Sequence, residues 1–397
     1  WSRADGDGSQ ERAEGTPLLY PVSDEEDGVI SAIGRYDSRL GRFRPLITRG
    51  FDEVGAKKSG LIQWDTSVPS DWSEVILQGP NFSQANLFSK RPNIPCRSQQ
   101  DWKPWDLGSL GVGEIPVCNY RRSSERVVFD RSKDVWRGYP CSIYYRLAWR
   151  AMIPFNTERS LFPVLIPPGA SHVHAVHSMW VEDNRTTVLN SGFWVSLPLD
   201  YLLRITGRSH LQVAEAHKMP APTLGHPLET ALLVRTMRLN SLTNAYAPLW
   251  SELYDDTWHE QTWAVDWEDL TPLQEVGPEW EYASPLRTER ERRAALVELD
   301  ALVSVWLGIT ADQLVAVYRS RYPVLTDYES KTWFDGMGRK VAAVYHTYGY
   351  GQTKQDYLDL QKYLETGNPA DIPSGYSAPF YKAQREAEYR EAHAYFT

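Results

Sequence analysis

Three histidines within six residues, His172, His174 and His177 in HVHAVH, form the chain's densest set of metal-ligating side chains. On a strand, alternate residues point to one side, so His172 and His174 would share a face at a spacing that suits a metal ion. No cysteine stands near them and the turn-forming IPPGAS precedes them. The plainer expectation is therefore a set of partly buried or surface-contact histidines at the start of a strand. VLTDYESK offers a second arrangement. Glu329 and Lys331, with Asp312 and Asp327 upstream, follow the carboxylate–x–lysine pattern of metal-dependent nucleases, in which acids hold Mg²⁺ and a lysine sits near the attacking water. Matches of three residues arise by chance in most charged chains, so this one carries little weight.

A third constellation is larger and needs no metal. SKRPNIPCRSQQDWKPW holds Lys90, Arg91, Arg97, Gln99, Gln100 and Lys103 interleaved with Trp102 and Trp105, and CNYRRSSER adds Asn119, Arg121, Arg122 and Arg126. Farther on, TGRSHLQVAEAHKMPAP begins with Arg208, Ser209 and His210, donors with no acid beside them. Lys and Arg neutralise phosphates, and Arg, Gln and Asn also pair with guanine and adenine edges, so these stretches are candidate nucleic-acid contacts. Loops are generally polar, and solvated basic residues are the bland alternative. The chain contains no P-loop, no dinucleotide fingerprint, no G-x-S-x-G and no H-E-x-x-H. It also lacks an Asn- or Asp-Pro-Pro-aromatic tetrapeptide. No self-sufficient active site is visible, so no catalytic residue and no metal ligand is assigned.

Such residues need elements to hold them. From Arg35 the chain runs in short alternating stretches divided by Gly, Pro, Asn and Asp, and SEVILQGP, SIYYRLAWR, LFPVLIPPG, TTVLN and FWVSLPL are the strand candidates. Near residue 200 the period becomes helical. HPLETALLVRTMRLNSL places Leu228, Ala231, Leu232, Arg235 and Leu239 along one side, and NAYAPLWSELY continues the helical region. Residues 251–286 hold ten acids, no Lys or Arg, and four of the sixteen Trp residues, which predicts an extended connector docked through its Trp side chains. ERRAALVELDALVSVWLG then predicts a helix burying Leu296, Leu299, Val303 and Trp306 and ending at Gly308. Thr310 and Gln313 have capping-box spacing for the next helix, which stops before Pro323. KQDYLDLQKYLETG and YKAQREAEYREAHAYF predict two more.

The net charge of −9 conceals a segregation. Residues 1–34 sum to −6, residues 35–250 to +8 and residues 251–397 to −11, so a basic middle lies between acidic ends. Cys96, Cys118 and Cys141 lie more than twenty residues apart, which fits a reducing compartment and argues against a disulfide scaffold or zinc finger. No apolar run approaches the roughly 18 residues that span a bilayer, and no basic-then-apolar leader opens the sequence. A cytoplasmic protein is expected. Its start at Trp rather than Met suggests a piece of a longer chain.

Five ordered blocks share one pattern. They are EVILQGPNFSQANLFSKRPNIPCRSQQDWKPWDL, YRLAWRAMIPFNTERSLFPVLIPPG, FWVSLPLDYLLRITGRSHLQ, LLVRTMRLNSLTNAYAPLW and RRAALVELDALVSVWLGITADQLVAVYRSRYPVLTDYE. Together, over roughly residues 55–340 and more loosely at PFYKAQREAEYREAHAYF, the chain resembles the C-terminal region of large bacterial adenine-specific DNA methyltransferases. These belong to the type IIG restriction-modification group, with relatives in phage defence. The resemblance implies a target-recognition domain with helical support, and double-stranded DNA as ligand. It also implies a separate catalytic domain that binds S-adenosylmethionine and methylates a flipped adenine. TGRSHLQVAEAHKMPAP is similar to the closing segment of such recognition domains, which makes Arg208, Ser209 and His210 DNA contacts by implication. The family's cofactor-binding and catalytic motifs are absent from this chain, so no cofactor is expected on it.

The expected fold is α/β in the mixed α+β sense: a β-rich recognition domain with supporting helices and a helical C-terminal region. Residues 1–34 form an acidic arm or linker, 35–226 the DNA-binding domain, 227–286 helices and the Trp-rich connector, and 287–397 the C-terminal helices. The expected partners are DNA and the methyltransferase catalytic domain, with no membrane. Two alternatives stand beside this: a metal-dependent hydrolase or nuclease, and a structural partner-binding subunit.

Overall fold

The computed structural model of the chain describes residues 20–98 and 100–397. The fold is mixed α/β, with thirteen α-helices and several small sheets among the described residues. The largest sheet is antiparallel and has four strands, in the order Leu46–Thr48, Val176–Trp180, Arg146–Arg150, Pro163–Ile166. Successive side chains of Arg146–Arg150 leave on opposite faces. Leu147 and Trp149, with Leu165 and Met179, enter the core shared with the helices. Ala148, with Val164, Ile166 and Val176, enters a second core with Leu77, Phe88 and Trp105. Burial on both faces is why these strands read as nearly continuous apolar runs.

Two consecutive helices cover the first face. Asp183 is extended and its carboxylate accepts from Thr186 N at 2.7 Å, capping Asn184–Trp194. Leu197–Thr206 follows and ends at Gly207, whose φ of +64° suits glycine. TTVLN and FWVSLPL, expected as strands, are therefore helical: the first lies inside Asn184–Trp194, and the second spans the end of one helix and the start of the next. The β-branched residues suggested strand locally, but the Asp183 cap and packing on every side decide the outcome. Helix Glu229–Asn240 crosses Asn184–Trp194 so closely that a Cβ on Gly192 would fall 1.9 Å from Thr236 Oγ1.

Glu289–Leu307 runs through the shared core and packs on Arg385–Phe396, Glu229–Asn240 and Leu197–Thr206. Thr288 and Glu291 cap it reciprocally and Gly308 ends it at φ +73°. The Thr310–Gln313 box then starts Ala311–Arg321. Several charges buried among these helices are paired, whereas Arg292 is met by the carbonyls of Leu239, Leu286 and Ala85. Asp300 accepts from Arg159 Nη2 (2.6 Å), Arg385 Nη1 (3.1 Å), Tyr389 OH (2.6 Å) and Leu197 N (2.6 Å). Glu329 accepts from Arg293 Nε and Arg385 Nη2, both at 3.0 Å.

Residues 24–34 correct the expectation of a solvated arm, because Asp24–Arg35 is a helix. Ser23 caps it, four acids in its first turn suit the positive end of the helix dipole, and Val29, Ile30 and Ile33 are buried. Its buried Glu26 pairs with Arg321, fixing it to Ala311–Arg321.

The connector at 251–286 has little regular structure, and two arginines of helix Glu229–Asn240 satisfy four of its carbonyls. Arg235 donates to Thr262 O (2.8 Å), and Arg238 to Pro272 O (3.1 Å), Leu273 O (2.9 Å) and Ser284 O (2.9 Å). Glu298, paired with Arg235 at 2.7 Å, accepts from Ala264 N and Trp267 Nε1. Trp258 is fully buried, and Trp280 donates to Ser241 O at 2.7 Å. An irregular segment can lie against a core only with its backbone groups satisfied in this way. Its ten acids are all exposed.

Candidate nucleic-acid interface

The strands Lys90–Pro92 and Trp102–Pro104 pair as an antiparallel ribbon, with Lys90 opposite Pro104 and Arg91 opposite Lys103. The intervening turn is stitched by Asp101, whose carboxylate accepts from Arg97 N at 3.0 Å. Arg91 is half-buried, its guanidinium 4.9 Å from the Trp105 ring centre, and so serves the ribbon's packing. Lys90, Arg97, Gln100 and Lys103 are exposed. Among the described residues, no ion pair engages Lys90, Arg97 or Lys103. Gln99 lies outside the described residues.

Strand Cys118–Arg122 pairs with Ile62–Ser67. Asn119 is fully buried, and its Oδ1 accepts from Thr66 Oγ1 at 2.9 Å. It cannot reach a base edge, which corrects its assignment as a DNA contact. Arg121 is exposed but pairs with Asp65 at 2.7 Å. Arg122 donates to Ser124 O at 2.6 Å, and Arg126 bonds both Asp130 (2.6 Å) and Ser73 Oγ (2.5 Å). These arginines are therefore engaged, in contrast to the ribbon's cations.

The stretch at 206–210 follows the end of helix Leu197–Thr206 and prolongs the main sheet. Leu211 N donates to Ala151 O (2.8 Å) and Ile153 N to Ser209 O (2.9 Å). Ser209 and His210 are exposed, with Ser209 Oγ 3.0 Å from His210 Nδ1, and Arg208 bonds Glu215 at 2.6 Å. Here the structure brings together what the sequence kept apart. His177 is buried, and burial, reinforced by His174, Arg49 and His210, pushes its pKa down to about 4. The HVHAVH cluster thus sits with the 206–210 loop and Arg49. Arg150, just before Ala151, stacks on Phe162 at 4.2 Å and on Phe82 at 5.6 Å. Ser89 N donates to Asn81 O at 3.0 Å, so a short run of contacts joins this loop to the ribbon. Arg49 and the exposed Met152, paired with His210 in a β-bridge, were missed from sequence: Met152 carries no charge, and Arg49 closes an arginine-rich run at 35–49 that holds no amide side chain to suggest base contact.

The arrangements that suggested metal chemistry do not converge. His172 turns inward, with Nε2 2.7 Å from Ser178 Oγ, and burial beside Arg146 pushes its pKa down to about 3. Asp312 pairs with Arg390, Lys331 with Asp327, and Glu329 with Arg293 and Arg385. Among the described residues, no group of three or more His, Cys, Asp or Glu side chains is placed to hold a metal ion. No helix among them is long and apolar enough to cross a membrane.

No protein-family model and no curated protein sequence matches this chain.

Proposed function

We propose that this chain is the DNA-recognition module of an S-adenosylmethionine-dependent adenine DNA methyltransferase of restriction-modification or phage defence. The chemistry would be supplied by a catalytic domain whose motifs are not in this chain. One observation carries the proposal: Lys90, Arg97 and Lys103 are exposed and, among the described residues, in no ion pair on a ribbon that also presents Gln100. Desolvating such cations against phosphate breaks no existing ion pair, whereas Arg121 and Arg126 must first leave Asp65 and Asp130. A two-stranded ribbon also fits the width of the major groove, where an amide side chain can read an adenine edge. The ten exposed acids of residues 251–286 would be repelled by the duplex and suit a basic partner surface instead.

The test compares the wild type with the triple variant Lys90→Ala, Arg97→Ala, Lys103→Ala, using fluorescence anisotropy on a labelled duplex across a salt series. Each phosphate contact contributes about 0.9 to the log–log salt slope, so the triple variant is expected to lower the slope by about 2–3. Arg121→Ala should change it by less. An unchanged slope in the triple variant removes the ribbon from the interface.

A further inference from the structure

A cavity of about 60 Å³ opens between the turn around Gly50, the segment Ser132–Asp134 and the buried end of strand Arg146–Arg150. At roughly 10–15 Å³ of such volume per water, it accommodates a few waters or one tetrahedral oxyanion. Its walls are cationic. Arg146 is 1% exposed, donates to Ala170 O and, at 3.2 Å, to Ser178 Oγ, and forms no ion pair with a carboxylate among the described residues. Among the described residues, its Nε has no hydrogen-bond partner, and neither has the Oγ of Ser171, which lines the same cavity and is also buried. Lys133, 8% exposed, reaches Asp130 Oδ1 at 3.0 Å and Ser142 Oγ at 3.2 Å, but Asp130 also serves Arg126.

No side chain in the wall answers the Arg146 charge. Asp134 stands exposed at the mouth, and burial holds Cys141 as a thiol and His172 as a neutral imidazole. Gly50 lets the turn pack closely on His172 in the wall: at φ +70°, a Cβ there would lie 2.3 Å from His172 O. A buried guanidinium with an unused donor, beside a buried hydroxyl with none of its capacity used, calls for an acceptor that the protein does not supply.

We propose that this cavity binds a tetrahedral oxyanion of the phosphate class, held by Arg146, Lys133 and Ser171. The phosphate is either free or carried by a nucleic acid. The site does not depend on the ribbon's role in DNA recognition.

The test titrates the purified chain into inorganic phosphate and follows the ³¹P resonance at constant ionic strength. Saturable broadening is expected. Removing one charge-assisted donor is worth about 1.5 kcal/mol or more, so Lys133→Gln should weaken binding by about tenfold or more. Ser171→Ala should weaken it less. Arg146 also anchors Ala170 O and Ser178 Oγ in the core, so Lys133→Gln and Ser171→Ala, both shown to be folded by circular dichroism, are the variants compared. A 5′-phosphorylated dinucleotide that displaces inorganic phosphate, where its unphosphorylated form does not, would identify a nucleic-acid source. Failure of both dinucleotides to compete, with phosphate still saturating, would identify free phosphate. The proposal is overturned if the wild type shows no saturable response, or if both variants respond as the wild type does.

Discussion

Replacing Glu329 by Gln removes the negative charge that ties Pro323–Ser330 to Glu289–Leu307 and Arg385–Phe396 through Arg293 and Arg385. The substitution keeps the shape but leaves two buried guanidiniums with less countercharge. Breaking a buried ion pair by removing one partner costs about 3–5 kcal/mol. At an unfolding entropy of about 2.1 cal/mol/K per residue, the described chain should lose roughly 4–6 °C in Tm if it unfolds as one unit. The pH dependence is a sharper check. Burial alone would raise the pKa of Glu329, but Arg293 and Arg385 outweigh it and hold the group well below the ordinary carboxylate range. A depressed carboxylate contributes fully above its unfolded value of about 4.3 and loses that contribution as pH falls toward the folded value. Gln does not titrate. The stability gap between wild type and Glu329→Gln, measured by urea unfolding, should therefore narrow by about 1 kcal/mol between pH 6.5 and pH 3.5. Lys331→Gln, which breaks the exposed pair with Asp327, is the control and should shift stability by less than about 1 kcal/mol. A Tm change under about 1 °C for Glu329→Gln, or a gap that stays constant with pH, refutes the reasoning.

Gly192→Ala should destabilise by about 1–3 kcal/mol because its Cβ meets Thr236, and Thr236→Ala in the same chain should restore part of that loss in thermal unfolding. No recovery would mean that the helix crossing is not the cause. Arg238→Met takes the donor from the carbonyls of Pro272, Leu273 and Ser284, so residues 251–286 should become more susceptible to a glutamate-specific protease. Trypsin has no Lys or Arg to cut there, and an unchanged glutamate-specific pattern counts against the arginine clamp. Arg49→Ala should lower the DNA salt slope by about 0.9 if the 206–210 loop faces the duplex, and an unchanged slope would place that loop elsewhere.

The helices with one apolar stripe and local caps were legible in the sequence: Thr288, Gly308, Thr310 and Gln313 act within a turn of their own position. Asn184–Trp194 was not, because nine of its residues are buried and a helix buried on nearly all sides shows no 3.6-residue stripe. Asn119 failed for a related reason. Its strand is buried on both sides at Cys118–Tyr120, so no alternation marked it as interior. The free cations Lys90, Arg97 and Lys103 were chosen by residue type alone, and only the fold separates them from Arg121 and Arg126, whose acidic partners Asp65 and Asp130 could not be assigned from spacing. The Arg146 cavity was invisible because its walls come from segments far apart in sequence, joined by strand pairing. Arg146 itself carried one signal: a charge beside the apolar residues Leu147, Ala148 and Trp149 of its strand must find something polar to meet.

DNA binding by the wild-type chain tests the central proposal most directly. A labelled, sequence-randomised duplex would be titrated with the intact chain at 50 and 200 mM salt. Recognition through six to ten phosphates predicts that the intact chain loses about 10³–10⁵ in affinity between the two salts. Weak binding that is equally weak at both would contradict DNA recognition and leave the exposed acidic connector, as a surface for a basic protein partner, as the better account.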